Sequence, residues 1–160
     1  MAKMRGRSRS DGGDARGDGN NVRTASRWLL SAFYLIAGVA HIARPGGFIA
    51  ITPHWVPYPA DIITLTGIAE IAGAIGLHIP RFRRAAGIGL ALYALCVWPA
   101  NINHALNDIP LGGVHLGWWY HGPRLLLQPL IIWWALWAST AVEWPFNRKA
   151  AGRPHRCPHR

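Results

Sequence analysis

The middle of this 160-residue chain is poor in charge. Between residues 26 and 145 there are ten Asp, Glu, Lys or Arg residues: Arg27, Arg44, Asp61, Glu70, Arg81, Arg83, Arg84, Asp108, Arg124 and Glu143. That is about a third of the roughly 25% expected of a soluble globular domain, and too little to cover a surface in water. The shortage argues against a soluble nucleic-acid-binding domain, the reading that a formal net charge of +10 invites, and no nucleic-acid partner is expected. Cysteine is scarce as well. Cys96 and Cys157 cannot staple a secreted scaffold, and without a CxxC no self-contained dithiol enzyme is expected. Metal-ligand spacing is also missing. His41, His54, His104, His115 and His121 form no i, i+4 pair, so they read as interfacial loop histidines and no metal is expected. His155, Cys157 and His159 alternate along the tail and read as part of a flexible basic segment.

What is present is four apolar stretches: Trp28 to Ala43, Ile62 to Ile79, Ala85 to Asn107, and Leu125 to Val142. Each approaches the ~17–25 residues needed to cross a bilayer core. The expected fold is therefore all-α, an integral-membrane four-helix bundle over residues 26–145. A disordered basic tail (1–25) precedes it and a basic tail (146–160) follows. Orientation follows from the cations. Seven lie in the N-terminal flank up to Arg27, three between spans two and three, and five in the C-terminal tail. The positive-inside rule then predicts a multi-pass plasma-membrane protein with both termini cytoplasmic. Reading the first span as a cleaved signal peptide would leave three spans and break this pattern. Small residues at Ala69/Gly73, Ala72/Gly76 and Gly87/Ala91 suit close helix packing. Trp28, Trp118, Trp119, Tyr120 and Trp144 read as interfacial anchors, and Trp133, Trp134 and Trp137 as lipid-facing bulk.

Ionisable residues inside spans are costly and therefore functional suspects. Glu70 lies nine residues beyond Asp61, ~13 Å down its helix and near the bilayer midplane. His41 and Asn101 lie ~21 Å and ~25 Å along spans that enter from the cytoplasm. Arg124 and Gln128 open the fourth span from the outer side. These depths predict a polar cluster of His41, Glu70, Asn101, Arg124 and Gln128 in the outer half, with Asn103 and His104 as secondary members. Glu70 and Arg124 are expected to form its charge pair. Pro99 and Pro129 are expected to open space beside it by breaking helices. Residue types leave two readings open: a structural clasp, or a site for a polar head group such as a quinone carbonyl. No catalytic residue can be named.

The order AGVAHIARPGGF, GIAEIAGAIGL, PRFRRAAG, WPANINHAL and GPRLLLQPLIIWWAL over residues 28–140 resembles the DoxX family of small four-span membrane proteins. One departure is visible. Leu126 fills the proline position of the family's Arg-x-Pro-x-Gln, and Pro129 follows the glutamine. The resemblance implies an accessory subunit of a quinone-linked oxidoreductase system, partnered by the bilayer, quinone and a redox protein; whether it is itself an enzyme is left open, the residues showing no self-contained catalytic motif. A non-catalytic assembly factor is the alternative, and a small solute or proton carrier a weaker one. A homo-oligomer is left open.

Overall fold

The structure is a computed structural model that describes residues 11–143, with side chains from residue 19 onward. It is all-helical. Helix α1 spans Asp11–Ala43, α2 Pro45–Ile51, α3 Pro59–Gly76, α4 Arg83–Asn107 and α5 Gly117–Ala138. Three helices are long and apolar enough to cross a membrane: Gly19–Ala43 within α1, then α3 and α4. Many large apolar side chains on these helices are exposed, among them Leu29, Ile36, Leu65 and Leu92. In water that surface would be costly; against lipid it is the expected outer face.

Helix α1 starts well before the expected boundary at residue 26, so part of the segment predicted to be disordered is helical. Once the apolar span nucleates the helix, each further residue adds a hydrogen bond at small entropic cost, and the helix extends backwards. Residues 1–10, Trp144 and the C-terminal tail with His155, Cys157 and His159 lie outside the described residues. Helix α5 starts at Gly117, eight residues earlier than its apolar stretch indicated, and continues through Pro123 and Pro129. Pro99 likewise lies inside α4 rather than at its end.

Helix α1 packs on α3, and α4 packs on α5; α3–α4 and α1–α5 contacts close the ring. The core combines Leu30 and Tyr34 of α1 with Ala74, Leu77, Leu90, Ala91, Ala135 and Trp137. Trp137 is buried, and Trp133 and Trp134 pack against the core, which corrects their reading as lipid-facing bulk. The Trp134 indole N–H donates to Ser26 Oγ, tying α5 to α1, and Trp133 stacks on Trp137 with centroids 5.8 Å apart. Indole rings can fill helix gaps as readily as they face lipid, and periodicity alone does not separate the two.

Glycine permits the closest crossing. A Cβ built on Gly38 would lie 2.6 Å from Gly67 O, and one on Gly67 would lie 2.8 Å from Gly38 O. This brings α1 and α3 into backbone contact. Gly73 packs against Leu90, Gly76 against Ala86, and Gly87 against Ser139 and Ala135. The small-residue spacing thus marked the α3–α4 and α4–α5 contacts and missed the α1–α3 one.

Candidate functional site: a polar-tipped cavity between the helices

A cavity of about 900 Å³ opens between α1, α3, α4 and α5, with α2 and the segment after it along one edge. His41, Glu70, Asn101, Arg124 and Gln128 all line it. The rest of the wall is mostly apolar or aromatic, including Phe33, Ile63, Trp55 and Trp119. Depth along four helices thus placed five polar residues around one space. Asn103 and His104 do not line the cavity. Asn103 Nδ2 donates to Ile51 O at 3.0 Å and holds α2 against α4, and His104 supports the wall from behind.

The charge pairing differs from expectation. Glu70 is 3% exposed and faces His41, whose Nδ1 lies 2.9 Å from Glu70 Oε2. No ion pair joins Glu70 to Arg124. The correction follows from packing. The α1–α3 glycine crossing seats His41 Cβ over Gly67 and Glu70 Cβ over Gly38, so the two polar groups meet within one helix pair. His41 Nδ1 also lies 2.9 Å from Ala37 O. One N–H cannot point at both acceptors; its alignment favours the carbonyl, which leaves Glu70 Oε2 buried without an aligned donor. The Tyr93 hydroxyl interacts with Glu70 and with Thr66. Phe48 of α2 stacks on the His41 imidazole, centroids 3.8 Å apart, and fixes the ring plane.

Arg124 approaches the cavity from α5. Its Nη1 donates to His104 Nδ1 at 2.8 Å, while His104 Nε2 donates to Ile109 O at 2.9 Å. These two bonds assign the Nε2–H tautomer to a fully buried imidazole. The Arg124 guanidinium also lies over Tyr120, 5.7 Å from the ring centroid. Among the described residues Arg124 forms no ion pair, so its charge is not neutralised by a carboxylate.

The amides form a third group. Asn101 Nδ2 donates to Gln128 Oε1 at 3.2 Å, and Gln128 Nε2 donates to Ala94 O. Ala94 precedes Leu95, the residue whose carbonyl loses its helical donor to Pro99. The proline break therefore adjoins the polar wall, as expected, although α4 continues through it.

Beyond the cavity, Asp108 caps the loop after α4. His115 Nδ1 lies 2.9 Å from Asp108 Oδ2, and His121 Nε2 lies 3.5 Å from Oδ1. Burial would push the Asp108 carboxyl up; His115, then His121 and the Gly117 N–H, outweigh that and hold it below its usual value. His121 is 2% exposed, its ring 4.5 Å from that of His104. His41, His104 and His121 are thus buried, which corrects their reading as interfacial loop histidines. Tyr34, Phe48, Thr66, Tyr93 and Cys96 also line the cavity and were not foreseen. Glycines three residues before His41 and Glu70 were the available signal for the crossing; nothing local marked Phe48.

Residues 30–140 match the model of a domain of unknown function, DUF8561. The chain belongs to this family. The matched region contains every residue of the polar wall and excludes both tails. Neither a curated protein nor a solved structure matches the chain.

Proposed function

We propose that this DUF8561 protein is a DoxX-like, four-span accessory subunit of a quinone-linked membrane redox system, and that the cavity holds the quinone ring. The carrying observation is one space of about 900 Å³ with a largely apolar wall into which His41, Glu70, Asn101, Arg124 and Gln128 are set. Small-molecule sites have this character: hydrophobic walls, a few convergent polar groups, and volumes of roughly 300–1,000 Å³. Arg124 and the Asn101–Gln128 amides are suited to donate to ring oxygens. Glu70 Oε2 is suited to accept from a hydroxyl, so oxidised and reduced rings would be held by different members of one wall. Electrons would come from a redox partner, since the chain carries no catalytic motif of its own.

The fourth span is α5. Its 22 residues equal a bilayer crossing in length, and Trp, His, Gln and Pro lower its mean hydropathy without adding charge beyond Arg124. The Trp28 ring contacts that of His78, centroids 4.1 Å apart, so the start of the α1 span and the α3–α4 turn share one end of the bundle. Arg27, Arg81, Arg83 and Arg84 belong to these two segments, which under the positive-inside rule supports a cytoplasmic end there and a cavity in the outer half.

A second reading, a non-catalytic assembly factor, draws on one observation. Asn101, Gln128 and Ala94 O satisfy one another across α4 and α5, as a structural clasp would. Binding separates the two. Purified protein is titrated with a short-chain quinone and compared with Glu70→Gln and Arg124→Met. Saturable binding weakened at least tenfold by either substitution supports the quinone site. No binding to wild type, with both variants merely less stable, supports the assembly factor.

A further inference from the structure

The α3–α4 turn collects cations that no carboxylate among the described residues neutralises. The Trp28 ring packs against His78, tilted 39° to it with centroids 4.1 Å apart, and His78 Nε2 donates to Ser31 Oγ at 2.9 Å. Ser31 Oγ in turn donates to Ala74 O at 3.1 Å, so the turn is fastened to α1. Arg83 Nε donates to Leu77 O at 3.1 Å, which brings its guanidinium beside His78. Arg27, next to Trp28, lies within electrostatic reach of Arg83 and of Arg23. Arg23 lies over Trp137, 5.1 Å from the ring centroid. Arg81 lies over Phe82 on the same turn, 5.8 Å from the centroid. Among the described residues none of these cations forms an ion pair. Gathering like charges at one place is unfavourable unless an anion shares it.

An apolar groove of about 720 Å³ starts at the same turn and runs between α3 and α4. Ile79 and Phe82 form its end, and Gly73, Gly76, Ala86 and Gly89 keep its floor shallow. A Cβ built on Gly89 meets nothing within 4 Å. A single occupant that needs both features is an amphiphile with an anionic head and a hydrocarbon tail.

We infer that the α3–α4 turn and its groove bind an anionic phospholipid, the phosphate on the arginines of the turn and an acyl chain between α3 and α4. Basic pockets between membrane helices take such head groups, each cation near the surface contributing about 1 kcal/mol. The inference does not depend on the quinone cavity or on which membrane face the turn occupies.

The test uses the purified full-length chain in mixed lipid–detergent micelles and reads bound lipid by native mass spectrometry and stability by thermal unfolding. The probes are phosphatidylglycerol, phosphatidylcholine and inorganic phosphate. Phosphatidylglycerol is expected to be retained in preference to phosphatidylcholine and to raise Tm, with inorganic phosphate reproducing little of the rise. Arg27→Gln with Arg83→Gln is expected to reduce that preference roughly thirtyfold, two surface charges' worth. Gly89→Leu, which fills open space, is expected to lower retention without lowering Tm in phosphatidylcholine. Equal retention of the two lipids by wild type overturns the inference. So does full stabilisation by inorganic phosphate, which assigns the cations to a free anion. A Gly89→Leu protein that keeps the whole preference removes the groove from it.

Discussion

His41 Nδ1 stands 2.9 Å from Glu70 Oε2, and each of the two side chains sits over a glycine of the opposite helix. Gly38 makes room for Glu70, and Gly67 makes room for His41. The most polar contact of the bundle therefore depends on its closest backbone approach, and the cavity wall inherits its geometry from a helix crossing.

Gly67→Ala tests that dependence. The added methyl would lie 2.8 Å from the Gly38 carbonyl and 3.0 Å from His41 Cβ, and backbone cannot give way cheaply. The expected cost is about 1–3 kcal/mol, from overpacking. Thermal unfolding in lipid nanodiscs measures it. Gly89→Ala, whose methyl meets nothing, is the control and is expected to hold or raise Tm, since alanine is the better helix former.

Arg124→Met removes the donor to His104 Nδ1 and leaves a buried acceptor unpaired. The expected loss is about 1–3 kcal/mol. His104→Phe removes that acceptor and also the donor to Ile109 O, so the double variant Arg124→Met with His104→Phe is read in a double-mutant cycle and should lose less than the sum of the two single losses. Strictly additive losses across the cycle would show that the hydrogen bond is not what matters.

Asp108 predicts an acid-sensitive loop. Its carboxyl is held low by His115 and His121 against burial, so the folded state binds its proton less readily than the unfolded chain does. The contact stabilises above the ordinary carboxylate range and is lost as pH falls through the lowered folded value. Tm measured against pH should show wild type above Asp108→Asn near neutrality, the two converging in acid.

His78 has the same sign, in the histidine range. Burial, then Arg27 and Arg83, push its imidazole below the ordinary histidine value. The unfolded chain therefore binds that proton more readily, and stability falls as pH drops through the ordinary histidine range. Arg27→Gln should weaken this dependence, as NMR titration of the His78 ring would show directly.

Helix type, three of the four expected apolar spans, and the place of His41, Glu70, Asn101, Arg124 and Gln128 on one wall were legible in the sequence; Asn103 and His104 lie off that wall. Each rests on length, hydropathy and rise per residue, which are local properties. The partner of Glu70 was not. Depth placed His41 and Arg124 at comparable levels, and opposite charge favoured the arginine; only rotation about the helix axes, set by Gly38 and Gly67, decided for the histidine. The tryptophans of α5 were misplaced for the same reason, because their burial depends on which neighbour α5 faces. Phe48 reaches His41 from a helix of seven residues, too short to declare itself by periodicity.

The central claim, that the cavity holds a quinone ring, is tested most directly by native mass spectrometry of the wild-type protein extracted in mild detergent from its own membrane. The account predicts one bound quinone per chain, identified by its mass after release and lost from Glu70→Gln. Wild-type protein that carries phospholipid alone, with no quinone at any gentle extraction condition, would contradict it.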